Sequence, residues 1–193
     1  MKKICRSLVI LAASGFMGLG SLYAQLGFGK AERINLDWRF HLGDTNGKMP
    51  RESNNRGWQR IMLPHDWGVK YPLSPSLASA TGYLPGGIGW YQKQLTLPAE
   101  DKGKRLFLYF EGVYNRSEVF VNGKSIGKRP NGYVSFAYDI SPYVEFGKEN
   151  TIAVRVDHSQ SADSRWYTGS GIYRDVWLVR ANPLNIDQWG VYA

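Results

Sequence analysis

The groups in this chain that could move protons, attack a carbonyl or hold a metal are sixteen aspartates and glutamates, three histidines and a serine in a glycine turn. His41, His65 and His158 have none of the short, regular spacing of metal ligands, so no metal is expected. Gly169-Ser170-Gly171 lacks a glycine two residues before the serine, so the pattern that exposes a nucleophilic hydroxyl fails. The Gly87/Gly89 and Gly169/Gly171 pairs have neither a third glycine nor a helix to open, and no phosphate-bearing cofactor is expected. Glycoside hydrolysis needs two carboxylates facing each other across the scissile bond. Sequence spacing proposes no such pair. Asp139 precedes a turn, Glu100, Asp101, Glu145 and Glu149 fall in polar loops, and Asp37 and Glu118 read as solvent-facing or strand-end residues. No catalytic residue is assigned within the chain.

Binding chemistry is better represented. Aromatic residues make up 14% of the sequence, with seven Trp and twelve Tyr, and two loops concentrate them: "TGYLPGGIGWY" and "SRWYTGSGIYR". Rings there can stack on the apolar face of a pyranose while a neighbouring Asp or Arg hydrogen-bonds its hydroxyls. The competing reading is that the glycines reverse the chain and the rings cap a hydrophobic core. Asp163 stands out because a carboxylate lies just ahead of Arg165 and Trp166 in the second loop. In "LPHDW" (63–67), Asp66 reads as a turn residue accepting backbone N–H bonds and Trp67 as an anchor.

The elements that must position these loops are strands. Residues 1–24 are set aside first. Lys2, Lys3 and Arg6 precede an apolar run broken by Ser14 and several glycines, ending in Ser-Leu-Tyr-Ala, the pattern of a secretory signal peptide. The protein is therefore expected in the periplasm or outside the cell, without a membrane span. The only cysteine, Cys5, lies in this leader, so the mature chain has no disulfide to supplement its core. After a linker at 25–32, "RINLDWRFHL" alternates from Arg33 to Leu42 as one half-buried strand. "RLFLYFEG" is apolar on both faces, as a central strand should be. "EVFV" and "KSIG" flank Asn122-Gly123, the dipeptide best suited to a type I′ hairpin turn. "TIAVRVD" turns Ile152, Val154 and Val156 inward, and "IYRDVWLVR" closes the set. About nine strands with no helical period predict an all-β sandwich over residues 33–181. "LNIDQWGVYA" reads as one further strand.

Charge restricts the partners. The formal net charge is +8, of which the leader supplies +3, leaving +5; the Lys and Arg are scattered singly among acids and aromatics, with no run of four or more, and no nucleic-acid footprint results.

Five segments in order, "LPHDW", "TGYLPGGIGWYQK", "FEGVYNRSEVFVNGKSIG", "YDIS" and "SRWYTGSGIYRDVWL", resemble the N-terminal sugar-binding domain of glycoside hydrolase family 2, of the β-galactosidase type. The resemblance implies a jelly-roll β-sandwich that leads, in the whole enzyme, into an immunoglobulin-like domain and then a TIM barrel. Residues 182–193 would begin the immunoglobulin-like domain, and the chain reads as a fragment. The two catalytic glutamates of the family's retaining mechanism lie on the barrel, so none carries over and the chain alone is expected to be inactive. The family's first domain touches substrate through an aspartate just before the "SGI-aromatic-R" segment. Asp163 is the nearest carboxylate here, Ser164 or Arg165 could occupy that position instead, and Trp166 is the ring expected to line the pocket. Arg174 and Asp175 are expected to be structural ion-pair or turn residues. The implied partner is a terminal β-linked sugar, with homo-oligomer contacts in the full-length enzyme. A free-standing carbohydrate-binding module and a purely structural assembly domain remain the alternatives.

Overall fold

A computed structural model describes residues 25, 26, 28–44, 46–49, 57–160 and 167–191. In chain order the strands are β1 (Gln25–Leu26), β2 (Gly29–Arg33), β3 (Trp38–Leu42), β4 (Gln59–Ile61), β5 (Gly87–Thr96) and β6 (Arg105–Phe110). They continue with β7 (Ser117–Val121), β8 (Lys124–Arg129), β9 (Phe136–Asp139), β10 (Glu149–His158) and β11 (Val176–Ala181). One sheet runs β1-β2-β11-β6-β9 and the other β4-β3-β5-β10-β7-β8, with antiparallel pairing throughout. From β5 to β11 every connection except the β7–β8 hairpin crosses from one sheet to the other.

This alternation builds an all-β sandwich whose core draws on both sheets: Leu108 and Leu178 from one meet Phe40, Tyr91 and Val154 from the other. Ile152, Val154 and Val156 are fully buried, as their period of two requires. β6 is internal to its sheet, and its outward Phe107 and Tyr109 are covered as well, packing with Phe28. The expected hairpin turn is present, with Asn122 at φ 49° and Gly123 at φ 78°, the two positive angles of a type I′ turn. Among the described residues no helix is long and apolar enough to cross a membrane.

Three expectations need correction. Residues 29–32 of the expected 25–32 linker are strand: they belong to β2, which pairs with β11, and Ala31 is fully buried in the sheet. Arg33–Leu42 is not one strand. The chain leaves the first sheet after Arg33, passes Asp37 at φ 57°, and enters the second sheet at Trp38, leaving Leu36 60% exposed despite its place in the alternation. Beyond Ala181, residues 182–191 form no strand. They run in turns past β6, where Arg105 bonds Asn185 (3.2 Å) and Asp187 (3.0 Å).

Candidate functional site

At one end of the sandwich, two segments a hundred residues apart in sequence lie side by side. The His65 N–H donates to the Ile172 carbonyl (2.8 Å) and the Trp67 N–H to the Ser170 carbonyl (3.1 Å), so "HDW" and "SGI" pair like short strands. On the far side of Gly171, its N–H and carbonyl exchange bonds with Tyr114 at 2.9 and 2.8 Å. Gly171 is thus held from both sides. Its φ of 128° and a virtual Cβ only 2.6 Å from the His65 carbonyl oxygen explain why a glycine stands there.

Asp66 ties this junction together. Its Oδ1 accepts the N–H groups of Gly68 (2.9 Å) and Ser170 (3.0 Å), while the Tyr167 hydroxyl donates to Oδ2 in a very short contact. Burial, reinforced by that bond to a carboxylate, pushes the Tyr167 hydroxyl well above the ordinary phenol value, so it remains a donor. Trp67 is fully buried, and its indole N–H donates to Gly86 O (3.1 Å), fastening the end of the 68–86 loop beside the junction. The turn and anchor roles expected for Asp66 and Trp67 are the ones observed. The reach of Asp66 across to Tyr167 and Ser170 was not visible in local sequence.

Two histidines support the same junction from beneath. His158 Nδ1 lies 2.7 Å from Ser170 Oγ, and its ring meets Tyr114 edge to face at 5.0 Å. His65 Nδ1 lies 2.9 Å from the Tyr91 hydroxyl. Burial, helped by the positive charge of Lys70, lowers His65 from 6.5 to about 4, so the ring is neutral near pH 7. Burial likewise raises Tyr91 far above the ordinary phenol value. These are packing roles. Among the described residues no group of three or more His, Cys, Asp or Glu side chains could hold a metal ion.

The result is a pair of fastened shoulders around residues 161–166. On the entry side, Asp157 Oδ1 accepts the N–H (3.0 Å) and hydroxyl (2.6 Å) of Ser159, and the Asp157 N–H donates to Asn115 O (3.1 Å). Burial acts to raise the Asp157 carboxyl. The Ser159 bonds and the nearby Arg155 charge outweigh it, leaving the group below its ordinary value. On the exit side stand Tyr167 and Ser170, held by Asp66 and His158. Asp163, Arg165 and Trp166 themselves lie outside the described residues. Asp175 is structural as expected, although its partners are Arg33 (3.6 Å) and Asn35 (2.7 Å), while the Arg174 guanidinium lies over the Tyr173 ring.

Comparison with known proteins adds to this geometry. A family model described as "Glycosyl hydrolases family 2, sugar binding domain" matches residues 31–182. The chain is similar to Beta-galactosidase BoGH2A of Bacteroides ovatus, 47% identical over 163 residues that cover 83% of this chain and 19% of that protein. It is also similar to a beta-glucuronidase of Bacteroides fragilis, 38% identical over 174 residues that cover 82% of this chain and 22% of that protein. A crystal structure of a beta-glycosidase from Bacteroides vulgatus superposes with a TM-score of 0.73 at 45% identity, over 80% of this chain and 20% of that one. The chain spans about a fifth of the length of the curated relatives it matches.

Proposed function

Since the chain belongs to glycoside hydrolase family 2, as the N-terminal sugar-binding domain of β-galactosidase- and β-glucuronidase-like enzymes, we propose that it supplies one wall of a site for a terminal β-linked sugar. The wall is the loop at 161–166, with Asp163 and Arg165 bonding sugar hydroxyls and Trp166 stacking on the ring face. Cleavage, with retention, is assigned to carboxylates outside these residues, and the 193-residue chain does not hydrolyse glycosides by itself.

The observation that carries this reading is the fastening of both loop shoulders: Ser159 by Asp157 on one side, Tyr167 and Ser170 by Asp66 and His158 on the other. A contact loop that must meet a sugar within a fraction of an ångström needs rigid supports, because misplacement directly weakens binding and orientation. Several described carboxylates elsewhere are engaged in structural pairs, such as Asp139 with Arg105 and Asp101 with Arg180, which supports assigning cleavage elsewhere.

A domain exchange tests it. In the B. ovatus relative carrying residues 31–182 of this chain in place of its own, Trp166→Ala and Asp163→Ala should each lower kcat/KM for an aryl β-galactoside by tenfold or more, about 1.4 kcal/mol. Unchanged kcat/KM in both variants would remove the loop from the site. The finer readings belong to the same proposal. The wrapped order β2-β11-β6-β9 over β5-β10-β7-β8 supports a jelly roll. The basic, apolar, small-residue pattern of 1–24 supports export to the periplasm or beyond, which N-terminal sequencing of the secreted product would check.

A further inference from the structure

The outward face of the six-stranded sheet carries a feature the loop site does not use. Ala153, at the middle of β10, is flanked in register by Phe120 of β7 and Gln92 of β5. Because Ala153 is so small, the Trp90 and Phe120 rings meet above it, their centroids 5.5 Å apart at 34°. Residues 47–49 stand over this pair, and between them is a pocket of about 270 Å³ lined by Trp90, Phe120, Ala153, Met49, Lys48 and Thr151. Ala153 is five residues from His158, roughly 17 Å along an extended strand. This pocket is therefore separate from the loop between Ser159 and Tyr167.

We propose that this pocket is a second carbohydrate site, one that takes a single pyranose bearing an anionic group, such as a hexuronate. Its size is that of one ring, since sites for larger ligands run to roughly 300–1,000 Å³. Its floor is aromatic and aliphatic, the surface on which the C–H face of a pyranose packs. Its rim provides hydrogen-bonding groups and one cation. Thr151 Oγ1 donates to Gln94 and keeps lone pairs to accept from a sugar hydroxyl. Lys48 is exposed and makes no ion pair among the described residues, so its ammonium is free to meet a carboxylate or sulfate at the pocket mouth.

The test is amide chemical-shift mapping on the 193-residue chain titrated with sodium D-glucuronate and, separately, D-glucose. Saturable shifts at Gly47, Phe120 and Ala153 are expected with glucuronate, and glucose should bind at least threefold more weakly. Lys48→Ala, at an exposed position, should weaken glucuronate binding roughly threefold to tenfold, and Ala153→Val should abolish the shifts by filling the floor. Trp166→Ala should leave them intact, which separates this site from the loop. Glucuronate shifts confined to residues 157–173, an unaltered affinity in Lys48→Ala, or no saturable shift at all would overturn the proposal.

Discussion

Replacing Gly171 with alanine probes the junction that joins the 65–67 and 170–172 segments. Two costs arise at once. The backbone holds φ at 128°, which an L side chain adopts at a cost of about 1–2 kcal/mol. The added methyl would also lie 2.6 Å from the His65 carbonyl oxygen, a backbone atom of a residue tied to Ile172 through its own N–H and unable to turn aside. Forcing that contact apart costs about 1–3 kcal/mol more. A combined penalty of about 3 kcal/mol lowers Tm by about 6–12 °C in a chain of this length. Gly147 is the matched control. Its φ is 71°, and nothing lies within 4 Å of a virtual Cβ, so alanine there carries the backbone cost alone, about 1 kcal/mol and about 2–4 °C. Thermal unfolding followed by near-UV circular dichroism, where the packed Trp67 and Tyr91 contribute, would measure both. If Gly171→Ala and Gly147→Ala shift Tm equally, the close packing of His65, Tyr91 and Gly171 does not constrain the junction and the reasoning fails.

Other consequences follow from the same contacts. His65 is held at about 4, below its ordinary 6.5, so the unfolded chain binds the proton more readily. Its contribution to stability is complete above about pH 6.5 and is lost progressively as pH falls towards 4. Urea midpoints measured across that range should decline, and the decline should be shallower in His65→Gln; parallel curves would rule His65 out as the source. Asp101 is only 2% exposed and accepts from Arg180 (2.7 Å) and Lys104 (2.8 Å). Removing it in Asp101→Ala strands part of the Arg180 charge and should cost about 3 kcal/mol in denaturant unfolding, whereas a loss below about 1 kcal/mol would class the cluster with ordinary surface pairs.

The parts of the fold that were legible are those encoded locally. Asn122-Gly123 announces its turn because two adjacent positive φ angles admit few residue types, and Ile152, Val154 and Val156 announce a strand because burial on one face imposes period two. Alternation does not say which sheet a strand joins. Ile34 and Trp38 share a period and are both buried, yet the chain changes sheets between them, and Leu36 is left in solvent at the crossing. β2 was hidden for a related reason: Gly29–Arg33 has charged residues around one buried alanine, and its burial comes from neighbours far along the chain, not from its own pattern. The site divides in the same way. Asp66 reads as a turn former from its neighbours, but its bonds to Tyr167 and Ser170 span 101 and 104 residues, beyond any spacing rule. Asp101 looked like a loop acid because Arg180, 79 residues later, is what buries and neutralises it.

The central claim is that this domain holds the sugar while the cleaving carboxylates lie outside these 193 residues. The most direct measurement is aryl-glycoside turnover by the purified chain, at high protein concentration, with p-nitrophenyl β-galactoside and p-nitrophenyl β-glucuronide. Release of nitrophenol no faster than the buffer blank is the predicted result. Release above the blank that co-purifies with the chain and disappears in Asp163→Ala would contradict it, by placing a working carboxylate within the domain itself.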